Sequence, residues 1–325
     1  MTRLYFDTNI YRFIRATSET ATVARVLTEH DCILTASSGN LFETYAIQSH
    51  EDRRGELKVI VALADEYEHH PVSWLHALEL RREIKRLRPK WLRVVVNNRA
   101  IRGIRDFLQA HRAEWEEAQE GIMPDPDSYA EYRRDFEGGV QRGRNFQKNL
   151  RRDLPNPELR VTLTTPAVTA VPVDMTNPEV YWRVESLQAW YSAIEHRNPA
   201  SRDYDDWLGP YLRPGCFRDP TYHSFWLTEV RNEALPLNRL TSLISFYQLQ
   251  QKITHGNAED RLHATHWFAS DLFITADRAF HDVLTTTATN HYPNRPLPVL
   301  IDRSGNSVAA QLQTILTNHS RVRTS

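Results

Sequence analysis

Four acids in this chain, Asp7, Glu43, Asp260 and Asp277, each stand where a short apolar run ends or where a helix begins. Leu4-Tyr5-Phe6 runs into Asp7, and Leu272-Phe273-Ile274 runs into Thr275-Ala276-Asp277. Ser37 or Ser38 caps a helix that carries Glu43 in its first turns, just past a candidate strand at 32–35. Asp260 opens a later helix whose first turn Asn257 can cap. Taken singly, each acid has a plain explanation as turn, cap or solvated face, and Asn257-x-x-Asp260 also fits a capping arrangement. All four in strand-helix-strand context are harder to explain that way.

Gathered in one crevice, four carboxylates raise one another's pKa. A divalent cation removes the conflict, and all-oxygen ligation completed by water suits Mg²⁺ or Mn²⁺ rather than zinc. Such a centre lowers the pKa of a bound water and neutralises charge building on phosphoryl oxygens. Other chemistries fit less well. Asp7-Thr8-Asn9 lacks the second acid, two residues on, of an aspartyl-phosphate phosphatase. His263 and His266 share an i, i+3 spacing, but no cysteine or further histidine completes a zinc set, so they read as solvated or core residues. The chain has no Gly-Lys-Ser/Thr phosphate loop and no Gly-x-Ser-x-Gly elbow.

The elements that must position these acids alternate at first. Residues 1–50 read as strand, helix (19–29), strand, helix, the pattern of a parallel sheet, whose ligands bind beyond the carboxyl ends of its strands. An amphipathic helix follows at 51–70. Beyond residue 70 the alternation stops. Helical stretches are expected at 74–87, 90–120 and 131–152, with Pro89 between the first two. Residues 155–175 suit an extended arm or edge hairpin, Asn177-Pro178 opens another helix, and the acids at 203–206 fall in a loop. Helices at 221–235 and 238–252 lead back to Asp260, and a last strand (298–301) and helix (307–317) follow Asp277.

Asp7-x-Asn9, Glu43, Asp260 and Thr275-x-Asp277, in that order, resemble the acidic quartet of the PIN-domain nucleases with its supporting Asn and Thr. The resemblance covers roughly residues 1–60 and 225–305. It implies an α/β fold, a PIN-like parallel sheet flanked by helices, and metal-dependent hydrolysis of a phosphodiester, most often in RNA, with no covalent enzyme intermediate. Asp7 would be the central ligand to Mg²⁺ or Mn²⁺, with Glu43, Asp260 and Asp277 completing the shell. Asn9 and Thr275 would orient ligands and substrate. The nuclease core is then expected at 1–69 plus 221–325, and 70–220 is expected to be a mainly helical inserted domain that recognises substrate, oligomerises or occludes the site. A nuclease acting on DNA, or a binding module on the same scaffold, are the alternatives. The expected partner is nucleic acid, with RNA favoured; an inhibitory or companion protein and a homo-oligomer stay open.

Composition sets the outer bounds. At 325 residues, 41% hydrophobic and 25% charged, the chain can bury a large core. Its net charge of −1 argues against a strongly cationic nucleic-acid coat. A local patch is still present: Arg142, Arg144, Lys148, Arg151 and Arg152, with Tyr132, Phe136 and Phe146 interleaved. That stretch reads either as a solvated helix face or as a phosphate-contacting surface with platforms for bases. No apolar run approaches the length that spans a bilayer, and Cys32 and Cys216 make no disulfide framework; a cytoplasmic protein is expected.

Overall fold

The structure is a computed structural model that describes residues 1–96, 98–153, 160–161, 171–172, 174–197, 202–251, 257–304 and 307–324. Five short strands build one all-parallel sheet: Thr2–Phe6 (β1), Cys32–Ser37 (β2), Glu66–Glu68 (β3), Leu272–Thr275 (β4) and Val299–Leu300 (β5). Their order is β3-β2-β1-β4-β5, with Leu4 of β1 opposite Leu34 on one side and Leu272 on the other. Leu4, Tyr5 and Phe6 are all buried, so β1 reads as a continuous apolar run because both its faces are covered. Helices connect and flank these strands, which makes the fold α/β.

Two elements of this sheet region were not expected from sequence. Helix Thr8–Ala16 leaves β1 directly, burying Ile10, Tyr11 and Ile14, and it carries Asn9 and Arg12. The short edge strand β3 follows helix His50–Leu63. Helix Ser38–Tyr45 begins as the sequence indicates: Ser37 caps it, and Asn40 returns the bond to the Ser37 backbone N–H at 2.9 Å in a capping box. The cap of helix Asn257–Trp267 lies outside the described residues, with Asn257 as its first helical residue rather than its cap.

The chain divides into two compact units; the first division falls between residues 69 and 70, as expected, but the later ones do not fall at 220. One unit comprises Met1–His69, His111–Gly143 and His255–Ser325; the other comprises His70–Ala110 and Arg144–Thr254. Two of the later divisions fall inside helices Asn98–Gln119 and Pro126–Asp153. The reason is packing. Trp115, Ala118 and Tyr129 belong to the same apolar core as the sheet residues Leu4, Phe6, Leu34 and Ile274. Trp115 stacks on Tyr67 of β3 at 4.7 Å, and the Arg53 guanidinium lies 3.5 Å from the centre of the Tyr129 ring. Residues 111–143 are thus part of the unit that holds the acids.

The second unit has its own aromatic core. Trp91, Trp182, Trp190, Phe217, Tyr222, Phe225, Trp226 and Phe246 cluster there, which assigns residues 221–254 to this unit rather than to the sheet. Helix Pro178–Ile194 opens with Asn177 as cap, as expected. Asp203–Asp206 lie on a helix, Arg202–Leu208, and not in a loop; Trp207 and Leu208 at its end are buried and draw the segment into regular structure. Of the expected arm at 155–175, an antiparallel pair, Arg160–Val161 with Val171–Pro172, and residues 174–175 are described; 155–159, 162–170 and 173 lie outside the described residues. Among the described residues no helix is long and apolar enough to cross a membrane.

Candidate metal centre

β1 is the point where the strand order reverses: β2 and β3 extend to one side, β4 and β5 to the other. The carboxyl ends of β1 and β4 therefore flank the crevice where open parallel sheets bind ligands. Asp7 leaves β1 there, with its backbone N–H bonded to Ile274 O of β4 at 2.9 Å. It occupies the cap position of helix Thr8–Ala16, but its side chain makes no capping bond. The carboxylate is turned to another use.

That use is visible in its partners. Thr275 Oγ1 donates to Asp7 Oδ2 at 2.6 Å, and the Asn9 side-chain amide donates to the same oxygen. Asn9 Oδ1 accepts from Ala276 N at 2.8 Å, and Thr275 Oγ1 accepts from Asp277 N at 3.0 Å. Asn9 and Thr275 thereby tie the two strand-end turns together and hold Asp7 by one oxygen. Oδ1 has no protein partner among the described residues, although Asp7 is only 6% exposed.

The other three acids come from separate elements. Glu43 lies on helix Ser38–Tyr45, Asp260 in the first turn of helix Asn257–Trp267, and Asp277 at the cap of helix Arg278–His291. Asp277 does act as a cap, its Oδ1 accepting from Phe280 N at 3.0 Å. Asp7, Glu43, Asp260 and Asp277 all line one cleft of about 280 Å³, together with Asn9, Arg12 and Phe136. The four acids expected from sequence, and Asn9, are thus brought to one place; Thr275 is fully buried behind them.

A fifth ionisable group is a core histidine, as one of the sequence alternatives has it, but its pairing with Glu43 was not expected. His263 is 2% exposed, and its Nε2 lies 2.8 Å from Glu43 Oε1. Its Nδ1 meets the Tyr5 hydroxyl at 2.7 Å, and that hydroxyl reaches Ser37 Oγ at 2.8 Å, so the network runs into the cap of the helix that carries Glu43. The available signal was spacing: His263 stands three residues after Asp260, one turn along the same helix face. His266, one turn further, is buried and stacked on the Tyr5 ring at 4.4 Å. Burial, with the charge of His263 behind it, pushes its imidazole down to about 3, so it is a neutral core residue.

Charge is divided unevenly among the acids. Burial raises the Asp7 carboxyl, with Glu43 and Asp277 adding to the effect while His263 and Thr275 oppose it. Burial, then the charges of Asp7 and Asp277, holds Asp260 well above the usual carboxylate range. Burial works against ionisation of Glu43 too, but the charge and hydrogen bond of His263 outweigh it, with Thr8 and Arg12 contributing, and its carboxyl lies below the ordinary value. Burial alone would neutralise His263, yet Glu43 first, then Asp7 and Asp260, lift its imidazole to about 9. Glu43 and His263 are an internal ion pair, whereas Asp7 and Asp260 stay raised by burial and neighbouring carboxylates despite the opposing charge of His263. A divalent cation held by oxygen atoms fits that donor set and the open Oδ1 of Asp7.

The five basic residues do not contribute to the lining of the acidic cleft. All five sit on helix Pro126–Asp153; Arg142, Lys148, Arg151 and Arg152 are exposed and Arg144 is half-buried. Arg142 falls in the unit with the acids and the other four in the second unit, where Arg151 donates to Gln251 O at 2.8 Å. A larger cavity, about 520 Å³, lies wholly in the second unit, with Phe107 and Trp207 among its walls; there Arg93 and Arg197 are offset by Asp205 and Asp206.

Compared with family models, curated proteins and solved structures, the chain matches none of them.

Proposed function

We propose that the chain is a PIN-like, metal-dependent nuclease that hydrolyses phosphodiester bonds, with RNA the favoured substrate. One observation carries this reading: four carboxylates from four separate elements line a single cleft at the switch point of a parallel sheet. Asp7, Asp260 and Asp277, with Glu43 beside them, would hold the cation, Mg²⁺ or Mn²⁺. When bound, it supplies activation of water and neutralisation of phosphoryl charge.

The chain's own residues do the rest. Asn9 and Thr275 fix Asp7 by Oδ2, so that Oδ1 keeps its direction through the reaction. The bond from Thr275 to the Asp277 backbone sets the turn that aims Asp277 at the cleft. His263 keeps Glu43 ionised and oriented, and Tyr5 holds the imidazole from its other side. None of these groups need become covalently attached to the substrate, since a positioned water serves as nucleophile.

The test is incubation of purified protein with labelled single strands of RNA and of DNA of matched sequence, in Mg²⁺, in Mn²⁺ and in EDTA, beside Asp7→Asn. Metal-dependent cutting lost in Asp7→Asn supports the reading, and the ratio between the two strands decides between RNA and DNA. Undiminished cutting in EDTA, or no cutting of either strand, overturns it.

A further inference from the structure

Besides the four acids and Asn9, the cleft is lined by Arg12, Ala46, Ile47 and Phe136, and Arg12 and Phe136 are the cation and the aromatic ring among them. Arg12 is fixed from outside the quartet. Its Nε donates to Glu56 Oε2 at 3.1 Å and its Nη2 reaches Glu56 Oε1 at 3.5 Å. Glu56 is completely buried and also accepts from Thr44 Oγ1 at 3.4 Å. A guanidinium present only to offset the quartet would bond to one of its carboxylates. This one is clamped by Glu56 with its side chain 53% exposed, and Nη1 has no protein partner among the described residues. A planar fork held in that way suits phosphate oxygens.

Phe136 belongs to helix Pro126–Asp153, in the segment of it that packs with the sheet. Its ring rests on Phe42, the neighbour of Glu43, with centroids 5.9 Å apart. Tyr132, one turn earlier, packs on Phe42 and on Tyr45 at 5.9 and 5.3 Å. Phe136 is supported from behind, yet it is only half-buried and forms part of the cleft wall with Ile47. A ring needed only for packing would be covered. An aromatic face beside a phosphate-directed cation is the pairing that binds an unpaired nucleotide, because every base has a face to stack and a phosphate attached.

Resting on the phosphodiester reading, we infer that Arg12 and Phe136 form the seat of one unpaired nucleotide next to the scissile bond. The base stacks on Phe136 and the phosphate meets Arg12, so the substrate is single-stranded at this point. The cleft, about 280 Å³, is close to the smallest ligand pockets, which start at roughly 300 Å³. A base within a duplex is already stacked on both sides, and reaching Phe136 would require taking it out of the helix.

The experiment uses one oligonucleotide with a single mapped cleavage site, the same strand made duplex, and versions with an abasic residue at each position flanking the site. Rates are measured with wild type, Phe136→Ala, Phe136→Trp, Arg12→Gln and Arg12→Lys, and binding is measured in an Asp7→Asn background. Phe136→Leu replaces the alanine variant if the latter does not fold. Loss of stacking should raise KM about tenfold, within the roughly 5- to 150-fold that one base–aromatic contact is worth, with kcat little changed and Phe136→Trp restoring it. An abasic residue at one flanking position should reproduce that loss in wild type and add nothing in Phe136→Ala. Arg12→Gln should lower the slope of log K against log salt by about 0.7, the value of one phosphate contact on a single strand, while Phe136→Ala leaves it unchanged. The duplex should be cut at least about tenfold more slowly than the single strand.

Abasic strands handled as well as the parent, or abasic and Phe136→Ala losses that simply add, would overturn the inference while leaving the nuclease reading intact. If no strand is cut but binding still depends on the base and on Phe136, the seat stands and the hydrolytic reading falls. Absence of both cutting and binding removes both.

Discussion

The imidazole of His263 and the carboxylate of Glu43, 220 positions apart in the chain, meet at 2.8 Å beside the acidic cleft. The pair divides the quartet. Glu43 is charged and already partnered, while Asp7 and Asp260 repel each other with burial against them. Three acids are left to share an incoming cation. Calorimetric titration with Mn²⁺ should therefore give a single tight site, and two tight sites of similar affinity would show that Glu43 is released from His263 to ligate.

The metal-free protein should lose stability as pH rises from about 6.5 to about 9. His263 has its pKa raised on folding, so its contribution is complete below the unfolded value near 6.5 and disappears through about 9. Asp7 and Asp260 are also raised, so their penalty grows once the pH passes the carboxylate range and acts in the same direction. Glu43 is lowered and acts oppositely, losing its contribution only as acid protonates it. Thermal unfolding in EDTA across this window measures the slope. His263→Gln should cost on the order of 3 kcal/mol, as removal of one member of a buried pair does, and should flatten the profile between about 6.5 and 9. An unchanged profile in that variant would place the titration elsewhere.

Asp7→Asn and Asp260→Asn should fold and, in EDTA, unfold slightly later than wild type, by on the order of 1 kcal/mol, because each removes a charge from a repelling set. Mn²⁺, which should raise the unfolding temperature of wild type, should no longer do so in either variant. Destabilisation of both variants in EDTA would mean that these carboxylates are structural.

Asn9→Ala and Thr275→Val remove groups that hold Asp7 without touching the cation directly. Each should weaken Mn²⁺ binding by roughly 10- to 100-fold while the cleft acids stay in place, the usual effect of losing a group that orients a ligand. Unaltered affinity would assign both residues to the turns alone.

Excision of residues 70–220 should give an insoluble or non-cooperative chain. It removes Trp115, Ala118 and Tyr129 from the core they share with the sheet, along with the stack of Trp115 on Tyr67. A soluble deletion variant with a sharp unfolding transition would show that the sheet unit does not need them.

The strands that end on Asp7 and Asp277 were legible because buried parallel strands are short apolar runs with punctuated ends. The Ser37 cap before Glu43 was legible for a similar reason, since capping is written in neighbouring residues. Helix Thr8–Ala16 was missed because attention to Asp7-x-Asn9 as a strand-end turn hid the i, i+4 pair Ile10 and Ile14, and Arg12 was lost with it. His263 was set aside because histidines were weighed as zinc ligands, whereas its role depends on Glu43 and Tyr5, both distant in sequence. The unit boundaries beyond the one at 69/70 were illegible for a related reason. An amphipathic helix shows that it has an apolar face, but Trp115 and Tyr129 do not show locally which core that face will meet.

The central claim is that water attacks phosphorus under the control of the acidic cleft. The most direct measurement is mass analysis of RNA cut in H₂¹⁸O with Mg²⁺ or Mn²⁺. One solvent oxygen should appear in the terminal phosphate, with no 2′,3′-cyclic product, and a substrate lacking the 2′-hydroxyl at the cleavage site should still be cut. Asp7→Asn should yield no product. A cyclic phosphate free of ¹⁸O, formed equally well in EDTA, would contradict the account.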